Sequence, residues 1–260
     1  MSVRGILRCS PALLLVGTAI AASPAHADDW EWAFTPYIWA TDIGIDVAVN
    51  DNDVASDDLA FDDLLDKIDF ALLMHLEAQR DKVGLFADLV FMDLGSKQTN
   101  AARPPLPGGT EVKSDVTTTL IELGGFYRPS GDSHGLDILY GVRLTDLEVK
   151  LDITFPGPLG MTEQLDGSDS FTDGFAGLRF SAPIGENWSF VLRGDLATGD
   201  TELTTNAIGL FGYSFGENNK YRAMFGYRYM KMEIEDSSDG SKVNVDMTMA
   251  GPLAGVAFRF

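Results

Sequence analysis

The side chains best suited to binding or catalysis are charged residues that recur at every second position of otherwise apolar segments. Between residues 68 and 79, for example, Asp69, His75 and Glu77 share one face, while isoleucine, leucine and methionine occupy the other. We predict that such faces line the inside of a closed sheet as a polar network, which comprises Asp69, His75, Glu77, Asp88, Glu122, Asp137, Arg143, Asp173, Arg179, Arg193, Asp195, Arg222 and Arg228.

Two interpretations of this polar network are possible. One is a charged constriction that selects small solutes. The other is an interior filled by arginine–carboxylate pairs, because a narrow barrel leaves little free space and an unpaired buried charge costs on the order of several kcal/mol. We favour a mostly filled interior with, at most, a thin path for water.

Two further motifs raise the possibility of hydrolysis. His75 and Glu77 on one face could begin a metal or acid–base site, but no third ligand is visible, which favours a simple hydrogen-bonded pair. Ser214 lies in the segment GYSFG (212–216), which matches the nucleophile elbow of hydrolases. That motif requires a following helix, whereas a turn into another alternating strand follows here. We therefore predict no catalytic residue, and an enzyme with its active site at one rim remains the alternative.

Clustered carboxylates are concentrated between the alternating segments. Residues 51–66 contain seven aspartates and no lysine or arginine before Lys67, and residues 233–246 are also acidic. Hard divalent cations prefer clustered carboxylates, but the calcium-loop pattern is absent, and a solvated external rim is the simpler interpretation. We predict no specific metal site and no cofactor. A surface binding protein that uses these acidic segments is a further alternative.

The composition excludes several classes of protein. The chain has 260 residues, 39 acidic against 19 basic side chains and a net charge of −20, which disfavours a nucleic-acid partner. The lone Cys9 excludes a disulfide framework. No mature segment approaches about 18 uninterrupted apolar residues, which excludes a helical membrane protein.

The first 27 residues have the pattern of a secretory signal peptide. Arg4 and Arg8 precede a short apolar run, and Ala25-His26-Ala27 supplies the small residues that signal peptidase accepts. We therefore predict a signal peptide over residues 1–27 and a mature barrel over residues 28–260. Cleavage would remove Cys9 and both arginines.

The remaining chain alternates with a period of two. Strands of about ten residues that are apolar on one face and charged on the other are typical of transmembrane barrels. In lipid every backbone group must be paired, so the sheet must close on itself. The sequence predicts ten strands, near 30–49, 67–79, 83–95, 112–128, 135–153, 170–182, 187–198, 202–215, 220–234 and 244–260. A barrel of eight or twelve strands is also compatible with the sequence.

The connections predict the topology. Short turns near 80–82, 129–134, 182–187 and 216–219 alternate with longer connections at 51–66, 96–111, 154–169 and 235–243, and with a shorter one near 198–201. Short periplasmic turns and longer external loops are the rule for outer-membrane barrels. Within the first long connection, Phe61, Leu64, Leu65 and Ile68 have helical spacing, and Ser56 to Asp58 could cap a short helical lid. The alternative is that residues 64–68 begin the second strand.

Aromatic residues and the C-terminus indicate a membrane location. Trp30, Trp32, Tyr127, Tyr140, Tyr213, Tyr227 and Tyr229 fall on the lipid-facing parity or near strand ends, as an interfacial girdle requires. Phe258 and the terminal Phe260 close an alternating strand, and they resemble the assembly signal through which bacterial outer-membrane barrels engage the barrel-assembly machinery.

Short segments across most of the mature chain resemble small bacterial outer-membrane barrels, similar to outer-membrane protein A and W barrels. They include FTPYIWA (34–40), GLFAD (84–88), GVR (141–143), RGD (193–195), GYRY (226–229) and the C-terminal segment 251–260. The resemblance implies an all-β transmembrane barrel in the outer membrane of a Gram-negative bacterium, with both termini periplasmic, no assigned activity and no catalytic residues. This chain is longer than the smallest members and is predicted to have ten strands instead of eight.

Together these observations predict a monomeric outer-membrane barrel with a structural or narrow-channel role. Its expected partners are outer-membrane lipid, lipopolysaccharide and the barrel-assembly machinery.

Overall fold

The structure is a computed structural model. It describes residues 30–49, 52–59, 68–99, 111–131, 134–154, 162–238 and 241–260. The predicted signal peptide, residues 1–27, lies outside these ranges. Within them, no helix is both long enough and apolar enough to cross a membrane.

Twelve strands make up almost all of the described chain. They are β1 (Glu31–Trp39), β2 (Asp42–Val49), β3 (Asn52–Leu59), β4 (Ile68–Arg80), β5 (Val83–Thr99), β6 (Glu111–Tyr127), β7 (Gly135–Thr154), β8 (Thr162–Ile184), β9 (Trp188–Gly199), β10 (Leu203–Phe215), β11 (Tyr221–Ser238) and β12 (Ser241–Arg259). Every pairing between neighbouring strands is antiparallel, and β1 pairs with β12 to close the sheet.

The closed wall has ten strand positions, because β1 and β2 occupy one of them. β1 pairs with the last third of β12, and β2 pairs with the part of β12 just before it. The backbone N–H of Ala40, between β1 and β2, donates to the carbonyl of Pro252 at 2.9 Å, which continues the ladder across the break. The predicted closed antiparallel barrel of ten strands is confirmed.

The two ends of the barrel differ. At the turn end, the strands are joined by the short connections 81–82, 128–134, 185–187 and 216–220, and the beginning of β1 meets the end of β12. Trp32 and Phe260 exchange two backbone hydrogen bonds of 3.0 Å there. At the opposite, loop end, several hairpins extend well beyond the short β9–β10 connection.

The predicted loops at the loop end are wrong in extent. The segment 51–66 contains β3, which pairs with β2. β8 begins at Thr162, and its first residues pair with the end of β7. The predicted loop 235–243 is mostly ladder, since β11 and β12 remain paired as far as Ser238 and Ser241. The ladders continue because polar alternating segments can keep pairing after they leave lipid, and polarity alone does not end a strand.

The prediction that a helical lid begins at Ser56 to Asp58 is wrong. Ser56 to Asp58 lie in β3 and cannot cap a helix. Residues 60–67 lie outside the described ranges, and the described part of the second wall strand begins at Ile68.

The outer surface of the wall is apolar. Along β7, Leu136, Ile138, Tyr140, Val142 and Leu144 alternate outward, and Tyr140 is 57% exposed. Many other large apolar side chains are exposed around the barrel. Because exposed apolar surface of this extent is unfavourable in water and is what lipid requires, the chain is a membrane barrel of the outer-membrane type.

The loopward half of the lumen is filled by apolar side chains, which the sequence analysis did not anticipate. We call this cluster the methionine layer; it consists of Trp39, Leu73, Val90, Met92, Leu120, Met230, Met232, Met247, Met249 and Leu253, all at most 9% exposed. Met230 faces Met249 across the β11–β12 ladder, and Met232 faces Met247. Methionine is flexible and fills irregular gaps.

Candidate functional site: a charged layer and a vestibule inside the barrel

Ten charged side chains form a layer across the lumen, on the turn-end side of the methionine layer. We call this set the charged layer; it contains Arg128, Arg143, Arg179, Arg193 and Arg228 with Glu77, Asp88, Glu122, Asp137 and Asp195. Five positive and five negative groups are balanced. The strands place them inward because successive side chains of a strand point to opposite faces.

Glu122 on β6 is the centre of the charged layer. Its Oε1 accepts from Arg143 Nη2 at 2.8 Å and from Arg228 Nη2 at 3.2 Å, while its Oε2 accepts from Arg193 Nη2 at 2.8 Å. The Glu122 side chain is completely buried. Three guanidinium groups around one carboxylate are tolerable only because other carboxylates share them.

Asp195 on β9 provides the second carboxylate of this group. Its Oδ1 accepts from Arg143 Nη2 at 2.7 Å, and its Oδ2 accepts from Arg193 Nε at 2.7 Å. Asn206 Nδ2 donates to the same Oδ2 at 2.8 Å, and Asn206 Oδ1 accepts from Arg228 Nε at 3.1 Å. The amide thus links Arg228 to Asp195, so that the group is a closed network.

A second branch of the charged layer reaches towards the turn end. Asp137 on β7 accepts from Arg128 Nε and Nη2 at 2.6 and 2.9 Å, and from Arg179 Nε at 2.7 Å. Arg179 also forms a bidentate pair with Glu77 on β4. Bidentate arginine–carboxylate pairs fix geometry as well as charge.

His75 connects the two parts of the charged layer. Its Nδ1 lies 3.1 Å from Asp88 Oδ2, and its Nε2 lies 3.6 Å from Glu77 Oε2. The Tyr37 hydroxyl donates to Asp88 Oδ1 at 2.9 Å, and Arg228 Nη1 lies 3.5 Å from the same oxygen. Both ring nitrogens therefore face carboxylates.

Aromatic rings pack against the guanidinium groups. Arg179 lies 4.5 Å from the ring centroid of Phe126, Arg193 lies 5.2 Å from that of Phe86, and Arg228 lies 4.9 Å from that of Trp39. Cation–π contacts of this kind are favourable where water is excluded. Because Trp39 belongs to the methionine layer, its contact with Arg228 also joins the two layers.

Besides His75, which connects its two parts, three residues of the predicted polar network lie outside the charged layer. Asp173 is buried on β8, where it accepts from the backbone N–H and the hydroxyl of Thr201 at 3.0 and 2.8 Å and so fixes the β9–β10 connection. Arg222 lies near the turn end and donates to Ser214 Oγ at 3.2 Å. Asp69 belongs to β4, but its side chain is outside the described part of the chain.

Several contributors to the lumen were absent from the predicted network. Arg128 is the last residue of the predicted strand 112–128, and it faces inward because Tyr127 faces outward. Tyr37 and Asn206 are uncharged, and a network predicted from charged residues does not include them. Met230 and Met232 have the same parity as Arg228, so the alternation along β11 also predicts that they face inward.

A large cavity occupies the turn-end half of the lumen. This vestibule has a volume of about 1010 Å³ and reaches His75, Glu77 and Arg179, which form part of its inner wall. Lys220, Arg222 and Arg259 also line it. The charged layer forms much of the inner wall of the vestibule, and Leu210, which packs against the methionine layer, lines the vestibule as well.

Among the residues that the structure describes, Ser214 has none of the partners of a catalytic serine. Its hydroxyl accepts from Arg222, and β10 is followed by a single 3₁₀ turn (Glu217–Asn219) instead of an α-helix. The two acids near His75 are engaged by arginines and by Tyr37. The nucleophile-elbow match is therefore a turn sequence.

The loop end carries a small acidic pocket. A cavity of about 260 Å³ is lined by Asp46, Glu202, Glu233 and Asp246. Lys231 Nζ lies 2.8 Å from Glu233 Oε1 and 2.9 Å from Asp246 Oδ2. Among the described residues, no group of three or more histidine, cysteine or acidic side chains has a geometry that could hold a metal ion.

Comparison with known proteins gives structural neighbours only. No protein-family model matches the chain, and no curated protein matches its sequence. The solved structures that it resembles include the outer membrane protease OmpT of Escherichia coli, with 10% identity, 90% of this chain and 97% of that chain covered, and a TM-score of 0.49.

Two other solved structures resemble the chain. The attachment invasion locus protein Ail of Yersinia pestis, in complex with the heparin analogue sucrose octasulfate, is 12% identical, with 89% of this chain and 99% of that chain covered and a TM-score of 0.36. The Pseudomonas putida toluene transporter TodX is 10% identical, with 89% of each chain covered and a TM-score of 0.36. No activity is transferred from these proteins.

Proposed function

We propose that this protein is a structural barrel of the Gram-negative outer membrane whose lumen is closed to solutes. The observation that carries the proposal is the pair of stacked barriers inside the wall. The charged layer spans the lumen from β4 to β11, and the methionine layer fills the space on its loopward side.

The charged layer resists opening for an electrostatic reason. Glu122, Arg143 and Asp195 are almost completely removed from solvent. Separating them would leave buried charges without partners, at a cost of about 3–5 kcal/mol for each broken pair. The methionine layer adds an apolar barrier that excludes ions and water from the remaining path.

The proposal is tested by solute release from proteoliposomes. Along β11, Arg228, Met230 and Met232 are stacked on the inward face, directly loopward of Met224 in the vestibule wall. The triple variant Arg228→Ala, Met230→Ala, Met232→Ala should release a trapped disaccharide, whereas the unmodified barrel should retain it. The control is Tyr227→Ala, Tyr229→Ala, which truncates the lipid face of the same strand and should also retain the sugar. Release by the unmodified barrel would contradict a closed lumen.

A gated narrow channel is the second candidate function. The vestibule favours it, because the turn-end half of the lumen is already open and, among the residues that the structure describes, the two layers block the remainder. In that case the charged layer would be the gate, and release by Arg228→Ala alone would support this function over a structural role.

We also infer that the C-terminal strand is the part recognised during assembly. Phe258 and Phe260 are both exposed, and the main chain of Phe260 completes the seam with Trp32. Deletion of Phe260 should therefore reduce the amount of inserted barrel in cells more than it reduces refolding into detergent micelles. The barrel-assembly machinery, lipid and lipopolysaccharide are the partners that this proposal implies, and a monomer is sufficient because the sheet closes within one chain.

A further inference from the structure

We propose that the vestibule is a binding site for small phosphate-bearing solutes, held by Lys220, Arg222 and Arg259. This inference is independent of whether the lumen opens, because the vestibule is accessible from the turn end in either case.

The three cations are brought together by the β11–β12 ladder. Arg222 on β11 is the partner of Ala257 on β12, and the N–H of Arg259 donates to the carbonyl of Lys220 at 2.9 Å. Arg222 and Arg259 therefore lie on the inward parity of neighbouring strands, and all three side chains line the vestibule.

These cations differ from the arginines of the charged layer. Each arginine of the charged layer contacts at least one carboxylate, whereas no described carboxylate lies within ion-pair distance of Lys220, Arg222 or Arg259. Of the acids that line the vestibule, Glu77 is engaged by Arg179, and Glu31, Asp81 and Glu217 are exposed. The result is a concentration of available positive charge in a protein with a net charge of −20.

His134 supports a positive potential in the same region. Its pKa is lowered first by partial burial and then by the charges of Arg222, Arg128 and Arg259. Arg222 and Arg259, which line the vestibule, therefore act on the imidazole of His134 in the connection 128–134.

A phosphate group fits this arrangement better than a monovalent anion. Guanidinium groups form forked hydrogen bonds with phosphate oxygens, and a doubly charged group can use more than one of the three cations. The volume of about 1010 Å³ exceeds the space that inorganic phosphate needs and is of the size of pockets that hold small organic ligands. A sugar phosphate or another small phosphate ester is therefore the expected class.

Lipid headgroups are a less suitable source of the phosphate. Arg259 follows the outward-facing Phe258 on β12 and lines the vestibule, so its position faces the lumen. The Arg222 guanidinium is fixed by the buried Ser214 on the inside of the wall.

In the experiment, the barrel in nanodiscs is titrated with inorganic phosphate and with glucose 6-phosphate. Calorimetry measures binding, and the imidazole NMR signals of His134 report its pKa. We expect saturable binding of both, at least as tight for the ester, with an upward shift of the His134 pKa. Arg222→Gln and Arg259→Gln should each weaken binding by about tenfold or more, as loss of a charge-assisted contact predicts. Lys150→Gln is the matched control, because it removes one cation at the loop end and should leave binding unchanged.

Three results would overturn the proposal. The first is an absence of saturable binding by either compound. The second is binding that neither arginine variant weakens; Arg259→Gln serves here even if Arg222→Gln fails to fold, since Arg259 is exposed. The third is loss of soluble-phosphate binding when zwitterionic nanodisc lipid is replaced by phosphatidylglycerol, which would assign the cations to lipid headgroups.

Discussion

At the scale of single residues, the interior depends on mutual neutralisation. Arg143 shows this most clearly, since it has no exposed surface and donates to both Glu122 and Asp195. Its Nη1 has no partner among the described residues, so the fork is already imperfectly satisfied.

Replacement of Arg143 should therefore be costly. We expect Arg143→Ala to lower the free energy of unfolding by about 3–5 kcal/mol, because two carboxylates would lose a shared buried partner. Arg143→Lys should recover only part of this loss, since lysine keeps the charge but not the fork. Denaturant unfolding in micelles measures both. A change no larger than that of Lys150→Gln, at an exposed pair with Glu148, would show that the charged layer does not stabilise the barrel.

His134 predicts a pH dependence. Its pKa in the folded protein is lowered, so the folded state binds this proton less readily than the unfolded state, whose pKa is about 6.5. The resulting penalty is absent above about pH 6.5 and develops as the pH falls below that value, so stability decreases there. Unfolding measured between pH 7.5 and 5 should show this loss, and His134→Gln should diminish it. An imidazole NMR titration with a midpoint above about 6.5 would contradict the prediction.

At the scale of strands, close approach of neighbouring backbones restricts some glycines. A Cβ on Gly226 would lie 1.9 Å from the carbonyl oxygen of Gly209 on β10, whereas a Cβ on Gly194 would meet no atom within 4 Å. Gly226→Ala should therefore destabilise the barrel by about 1–3 kcal/mol, as overpacking does, and Gly194→Ala should be tolerated. Thermal unfolding of the two variants compares them directly, and equal midpoints would be inconsistent with the register of β10 and β11.

The strands show how far the sequence determines this structure. Alternation located all ten wall strands, because lipid on one side and a polar lumen on the other impose opposite chemistry on successive residues. It did not locate β3, whose sequence NDVASDDL has no regular alternation of apolar and polar residues, or the loop-end extensions, which are mostly polar. The methionine layer was missed for a related reason: in the segment around Leu72 and Leu73 both faces are apolar, so periodicity gives no contrast.

The charged residues of the lumen could be selected by parity, but their pairing could not. Arg179 and Glu77 are 102 positions apart in sequence, and only the closed barrel and its register bring them together. The same applies to the vestibule, whose cations come from the beginning of β11 and the end of β12.

At the scale of the whole molecule, orientation in the membrane follows from the asymmetric ends. We expect the turn end to face the periplasm and the loop end to face outward. The only cysteine of the chain lies in the predicted signal peptide, so single-cysteine variants give a clean readout. A membrane-impermeant maleimide should label Asp166→Cys, in the β7–β8 extension, in intact cells, and should label Glu217→Cys only after the outer membrane is permeabilised. The reverse pattern would invert the orientation.

The central claim is that the charged layer and the methionine layer together close the lumen. Single-channel recording of the unmodified protein in planar bilayers tests it most directly. We predict no stepwise conductance from the unmodified barrel, and steps from the Arg228→Ala, Met230→Ala, Met232→Ala variant under the same conditions. Reproducible unitary steps from the unmodified barrel, of similar size in independent preparations, would contradict the claim.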